Sequence, residues 1–367
     1  MRRTLLHLSL IPGVGPATVQ RLCNVVGAKS LPEIYFWGSG DFCSRAGFSL
    51  DLSRELSAGL AQSLLLEREL ELIKSQSVSW STLCDDDYPA LLKQIQYPPI
   101  VLYWWGQPLT AFDFSVALVG SRKANAYGRQ AIERLVPDFV AEGWGIVSGG
   151  ALGADTMAHE ITLDVAGRTC AIIGSGLLTP YPASNRRLFM RIREQGGSVV
   201  SPFPLAMQAL PGNFPARNRI IAGMSRATVV IQAAEKSGAL ITAYFALEQG
   251  REVGAVPGPI TDPLSFGCHT LLRDGAVLVS RASDIFQACG FGQDMQGAAS
   301  SRGSGSDTIM QTAILDPVVE ICREPQSFDE ILERLDYTPL ELQKRLVELQ
   351  LGGVLELDFM GRWVRRL

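Results

Sequence analysis

Between Ser115 and Cys289 the sequence alternates short, uniformly apolar runs with stretches of helical periodicity, and this rhythm restricts the fold more than any other feature. The strand candidates are 116–119, 145–147, 169–173, 198–201, 228–231, 252–256 and 276–279. Between the first two, Ile132, Leu135, Val136, Phe139 and Val140 recur at helical spacing. Between the fifth and sixth, Leu240, Ile241 and residues 243–247 suit a buried helix. A strand with one wet face alternates apolar and polar residues, whereas one covered on both faces is apolar throughout. The pattern predicts an α/β domain with a Rossmann-like, doubly wound, mostly parallel sheet.

The flanks read differently. Residues 1–75 are helical, and Leu8-x-x-Ile11-Pro12-Gly13-Val14-Gly15-Pro16-x-x-Val19-x-x-Leu22 has the form of a helix-hairpin-helix in a small SAM-like domain. Its glycines allow a tight turn with exposed N–H groups. That turn either holds a DNA phosphate or packs internally, and few basic residues flank it. Residues 76–289 then form the sheet domain with its lead-in, with a softer boundary near Gln107-Pro108 after Tyr103-Trp104-Trp105. The Gly/Ser-rich run over 290–308 buries too little apolar surface to offset its ordering entropy and reads as a linker. Residues 309–367 follow as three helices and a β-ribbon, a winged-helix-like order. Ser327 and Glu330 form a capping box there, and Thr338-Pro339 opens the next helix. That helix, with Leu340, Leu342, Leu346, Val347 and Leu349 as its buried face, offers only Lys344 and Arg345 beside Glu341 and Glu348, so duplex DNA and protein contact both stay open.

A net charge of -4, from 33 Lys and Arg against 37 Asp and Glu, excludes a protein that coats nucleic acid through bulk charge. The charge is unevenly spread. Residues 113–285 hold 16 basic and 14 acidic side chains, against 9 and 10 before them and 8 and 13 after. An anionic ligand therefore belongs first in the sheet domain. Seven cysteines without a C-x-x-C pair fit reduced thiols in a cytoplasmic protein better than disulfides or a zinc site. Met1-Arg2-Arg3 only faintly mimics a signal peptide, because His7 and Ser9 interrupt the apolar run behind it. No run approaches the ~18–20 apolar residues that span a bilayer.

Catalytic signatures are scarce: no G-x-S-x-G elbow, H-E-x-x-H or Walker loop occurs among the residues. Asp155 and His159 stand four apart on an expected helix and can share a hydrogen bond, as an acid–base pair or as a buried contact fixing the helix start. Glycine turns follow three strands, at Gly120-Ser121-Arg122, at Ser148-Gly149-Gly150-Ala151-Leu152-Gly153 and at Gly174-Ser175-Gly176. Ligands of open α/β sheets bind at such carboxyl ends, where N–H groups and helix dipoles suit phosphates. None of the turns matches G-x-G-x-x-G, so a dinucleotide site is weakly supported, and no cofactor or metal is expected. Basic clusters stand at matching places: Arg122, Asn185-Arg186-Arg187, Arg217-Asn218-Arg219 and Lys236-Ser237-Gly238. Together they describe a cradle for several phosphates in a row. Single-stranded nucleic acid fits a cleft among loops better than a duplex does.

The combination of Val119-Gly120-Ser121-Arg122, Ser148-Gly149-Gly150-Ala151-x-Gly153-Ala154-Asp155-x-x-Ala158-His159, Tyr181-Pro182-x-x-Asn185, Phe214-Pro215-x-Arg217-Asn218-Arg219, Ser237-Gly238-x-x-x-Thr242-Ala243 and Val256-Pro257-Gly258 resembles the DNA-processing protein A family, DprA or Smf, strongly over about residues 85–285. The resemblance implies a DNA-binding protein of natural transformation and recombination, not an enzyme, which protects incoming single-stranded DNA and helps load the RecA recombinase. It also implies a homodimer, with single-strand-binding protein as a further partner and no membrane association. By position, Arg122 and Lys236 would be the main phosphate-binding residues. Gly120, Ser121, Ser237 and Gly238 would supply donors, and Arg217 with Asn218 would line or brace the pocket; Gly149, Asn185, Arg186 and Arg219 complete the expected site.

The sequence departs from the family pattern at Pro202, at Gln232 in place of a usual glutamate, at Gly267-Cys268-His269 and at Gly150, where a bulkier residue is common. Two readings from other classes compete: a phosphoribohydrolase-like enzyme on a related sheet, and a nucleotide sensor. The first would carry Pro-Gly-Gly-x-Gly-Thr where this chain has Glu235-Lys236-Ser237-Gly238-Ala239-Leu240.

Overall fold

A computed structural model of the chain describes residues 1–291, 317–322, 324–335, 337–351, 355–357 and 362–365. The chain divides into two compact units, Met1–Gln293 and Asp294–Leu367.

The first unit opens with five helices, α1 (Arg2–Leu10), α2 (Pro16–Val26), α3 (Ser39–Ala46), α4 (Leu50–Leu60) and α5 (Ser63–Ser75). Leu5, Leu22, Phe42 and Leu56 are completely buried among them. The lead-in then supplies two strands and a short helix, β1 (Ser79–Thr82), α6 (Ala90–Lys93) and β2 (Val101–Gly106). The rest alternates as expected: β3 (Ser115–Val119), α7 (Ala126–Ala141), β4 (Gly145–Gly149), α8 (Ala154–Asp164), β5 (Thr169–Ile172), α9 (Arg186–Glu194) and β6 (Ser198–Ser201). It continues through α10 (Asn213–Gly223), β7 (Ala227–Val230), α11 (Gly238–Glu248), β8 (Glu252–Ala255), α12 (Phe266–Arg273), β9 (Val277–Leu278) and α13 (Ala282–Ala288).

Among the described residues the sheet has nine strands, in the order β1-β2-β6-β5-β4-β3-β7-β8-β9. The seven strands from β3 to β9 are parallel, and all seven coincide with the apolar runs. β2 pairs antiparallel with β6, Tyr103 opposite Ser201, and β1 pairs antiparallel with β2. The softer boundary near Gln107 is therefore not one: the aromatic run before it is a strand of the same sheet.

Alternation along the central strand builds the two faces. Val116 and Leu118 pack with Ile132 and Phe139 of α7 and Ala158 of α8. Ala117 and Val119 pack on the opposite side with Ile221 of α10 and Ala243 of α11. A third cluster joins the N-terminal helices to Tyr103, Ala171 and Ile192, so the helical segment and the sheet share a continuous core.

The second unit contains α14 (Pro317–Ile321), α15 (Phe328–Arg334), α16 (Pro339–Leu351) and an antiparallel ribbon of β10 (Leu355–Leu357) and β11 (Trp363–Arg365). The Ser327 N–H donates to Glu330 Oε2 at 2.7 Å and the Glu330 N–H to Ser327 Oγ at 3.3 Å, the expected capping box. Val318, Ile331, Leu342 and Leu346 form its core. The expected linker lies, past Phe291, outside the described residues, as do Gly352 and Gly353.

Candidate nucleic-acid interface

The chain leaves β3 toward β4 on one side and reaches β7 on the other, so β3 and β7 are neighbours whose following helices cover opposite faces. A crevice opens at their carboxyl ends, the place where open α/β sheets bind ligands. Its two rims are tied together. The Ser121 N–H donates to the Gln232 carbonyl at 2.7 Å, and the Ala154 N–H at the start of α8 donates to the Ser121 carbonyl at 3.1 Å. Gly153 has φ +76°, and a Cβ there would stand 2.4 Å from the Ser121 oxygen. Only glycine lets the two turns meet this closely. On the other rim Ser237 caps α11, its Oγ accepting from the Ala239 N–H at 3.3 Å.

The resulting cavity is about 380 Å³ in volume. Gly120, Ser121, Arg122, Arg217, Asn218, Lys236, Ser237 and Gly238 line it, eight of the twelve expected residues. Lys123, missed by sequence reasoning, lines it too, and its place beside Arg122 was the available signal. Arg122, Lys123 and Lys236 are exposed, and among the described residues none of them forms a salt bridge. The N-terminus of α11 adds its partial positive charge. One carboxylate, that of Asp155, lies in the lining.

That carboxylate is locked away from chemistry. Asp155 Oδ2 stands 3.7 Å from Arg217 Nη1 and accepts the Ala151 N–H at 3.3 Å. Arg217, 5% exposed, also donates to the Ile172 carbonyl at 3.2 Å. Burial pushes the Asp155 carboxyl up, against the downward pull of the Arg217 guanidinium. Burial likewise pulls Arg217 down, opposed by Asp155. The expected Asp155–His159 hydrogen bond is absent. His159 turns instead toward the sheet, with Nε2 2.6 Å from the Gly149 carbonyl, to which it donates, and Nδ1 2.7 Å from Thr169 Oγ1. Its burial lowers the imidazole to about 4. Spacing alone favoured the wrong partner, because Arg217 arrives from 62 residues downstream.

Gly149 lies beneath the cavity, where a Cβ would stand 1.4 Å from Arg217 Nη1. Asn185, Arg186 and Arg219 are outside the lining. Buried Asn185 donates to the Gly150 carbonyl at 3.0 Å and to Thr156 Oγ1 at 2.8 Å, bracing the turn after β4. Arg186 is exposed at the start of α9. Arg219 contacts the carbonyls of Gln96 and Tyr97 and lines a separate cavity of about 600 Å³. The helix-hairpin turn, residues 12–16, forms the other wall of that cavity, facing Pro99 and Phe203.

Three of the four departures sit in defined local contacts, and nothing in the structure explains Pro202. Phe189 occupies the space a side chain at Gly150 would need. Gln232 is buried, accepting the Asn125 N–H at 3.1 Å and donating to Asn125 Oδ1 at 3.0 Å and Asp262 Oδ2 at 3.3 Å. His269 Nε2 donates to the Gly258 carbonyl at 2.9 Å. Ser201, before Pro202, donates to the Ser175 carbonyl at 2.8 Å.

Comparison with known proteins places this geometry in context. The family model described as DNA recombination-mediator protein A matches residues 79–290. Protein Smf of Escherichia coli K12 is 38% identical over 267 residues, covering 72% of this chain and 71% of that protein. The X-ray structure of DNA processing protein A from Streptococcus pneumoniae superposes with a TM-score of 0.68 at 32% identity, over 78% of this chain and 98% of that one. A Helicobacter pylori DNA processing protein A, whose structure is described as giving insights into its single-stranded DNA binding mode, superposes with a TM-score of 0.51 at 28% identity, over 57% of this chain and 95% of that one. The family match, the shared identity and the shared fold agree, and the chain belongs to the DNA recombination-mediator protein A family.

Proposed function

We propose that this chain binds single-stranded DNA through its phosphates in the crevice between the ends of β3 and β7. In this reading it protects incoming strands during natural transformation and promotes loading of RecA. Homodimerisation, contact with single-strand-binding protein, a cytoplasmic location and a winged-helix role for residues 309–367 belong to the same proposal. Among the described residues no helix is long and apolar enough to cross a membrane.

The observation that carries the reading is the imbalance of charge in the cavity: three exposed cations without a carboxylate partner, over a floor whose one carboxylate is already held by Arg217. Phosphate oxygens suit such a site, since Arg122 and Lys236 supply charge and the start of α11 supplies backbone N–H groups. Contacts of this kind position a strand without reading its sequence. Hydrolytic chemistry is poorly served, because the lining offers no histidine and no free carboxylate to move a proton.

Fluorescence anisotropy with labelled oligonucleotides of increasing length, a duplex and a mononucleotide, at two salt concentrations, tests the function. Length-dependent, salt-sensitive binding that prefers single strands is expected. Saturation by the mononucleotide alone would return the enzyme or sensor reading.

A further inference from the structure

Beside the phosphate cavity lies a smaller one, of about 50 Å³, that shares Arg122, Ala151, Phe214 and Arg217 with it and adds Leu152, Tyr181 and Pro182. Its chemistry is different. Tyr181 and Leu152 are each 48% exposed, although both are large apolar side chains. The Tyr181 and Phe214 rings lie 5.7 Å apart, tilted by 60°, and the Arg122 guanidinium sits 5.7 Å from the Phe214 centroid. A phosphate-binding cation, a half-buried ring and an exposed ring thus follow one another across the mouth.

We infer that Tyr181, backed by Phe214, is a stacking platform for a nucleobase whose neighbouring phosphate is held at Arg122. The inference rests on the single-strand reading above and adds a nucleobase subsite to it. A base brings a flat π-face of the kind an exposed aromatic ring accepts, and stacking of this sort is indifferent to base identity. Phe214 has two tasks: it fixes the tilt of Tyr181 on one side and faces the guanidinium on the other, which sets the distance between base and phosphate subsites. Leu152 closes the third side with apolar surface that a free phosphate would gain nothing from covering.

The test separates bases from phosphates. A labelled oligothymidylate and an abasic strand of the same length are titrated against the wild-type chain, Tyr181→Ala and Tyr181→Phe at one salt concentration. Wild type is expected to prefer the thymidylate strand by about tenfold or more, within the range of one stacked base. Tyr181→Ala should lose most of that preference while binding the abasic strand as wild type does, and Tyr181→Phe should keep it. Tyr181 is half exposed, so its truncation leaves the core untouched; unchanged thermal melting confirms this. Equal binding of both strands by wild type, or a full preference in Tyr181→Ala, overturns the platform and leaves the phosphate cradle standing. Binding of neither strand by wild type overturns the cradle and the platform together.

Discussion

Arg217 and Asp155 face each other 3.7 Å apart beneath the cavity, in the space that a side chain at position 149 would fill. The glycine, the acid and the arginine come from β4, α8 and α10, so one contact fixes three elements under the cavity. A buried pair is weak evidence of net stabilisation, but removing one member leaves an uncompensated charge.

Arg217→Met should therefore destabilise the fold by about 3–5 kcal/mol. Adding Asp155→Asn should recover a large part of that loss. Urea denaturation of the two single variants and the double variant measures the coupling, and additive losses would count against a shared role. Gly149→Ala should act on the same contact, because its methyl group displaces the guanidinium.

Removing the exposed cations should affect binding without affecting folding. The Arg122→Ala, Lys236→Ala double variant is expected to bind single strands of any sequence more weakly. The slope of log K against log salt should flatten by about 1.4 if each cation holds one phosphate. Wild-type affinity and slope in the double variant would sink the site assignment.

Buried His159 contributes an acid sensitivity to the fold. Its imidazole falls from 6.5 to about 4 on folding, so between those values the unfolded chain takes up a proton that the native state refuses. Its contribution is complete above pH 6.5 and is lost as the pH falls toward 4, by roughly 3 kcal/mol in total. Urea midpoints at pH 7 and pH 4.5 should differ more for wild type than for His159→Gln. Equal differences would mean that the acid sensitivity lies elsewhere.

The seven parallel strands are legible in the sequence because each is an apolar run bounded by helices. The two antiparallel ones are not. Ser79–Thr82 is polar at three of its four residues, and Val101–Gly106 carries an aromatic run that reads equally well as a lead-in; what makes it a strand is pairing with Ser198–Ser201, almost a hundred residues away. The cavity shows the same division. Arg122, Lys236 and the glycine turns announce themselves by residue type next to a strand end. The partner of Asp155 does not, since helical spacing points to His159 while the true contact crosses the sheet. Tyr181 and Phe214 stand in recognisable motifs, but only their approach in space gives them a shared task.

Gln232→Glu tests the hydrogen-bond network that buried Gln232 makes with exposed Asn125 and half-buried Asp262 after β7. Glutamate would keep the acceptor for the Asn125 N–H but turn its second oxygen toward Asn125 Oδ1 and Asp262 Oδ2, which now receive hydrogen bonds from the amide. Asn125 cannot simply flip, because its Oδ1 also accepts the Tyr127 N–H at 3.0 Å. A loss of about 1–3 kcal/mol is expected, from the two hydrogen bonds lost and the like charges brought together. Thermal melts of the variant beside wild type measure it.

Truncation after Gln293 should leave strand binding intact, since the sheet, its helices and the cavity all belong to the first unit. Anisotropy with the truncated chain checks this, with circular dichroism to establish that it is folded. Loss of binding in a folded truncation would make the tail the DNA reader.

The tie between the Ser121 N–H and the Gln232 carbonyl joins the two rims just past the ends of adjacent, hydrogen-bonded strands, so the sheet itself holds the bases of the rims together. In the single-strand reading proposed above, an arriving strand would therefore meet rims already joined at their base. On that proposal, arrival would be set by diffusion and by the pull of the exposed cations, and departure by how many nucleotides are seated at once.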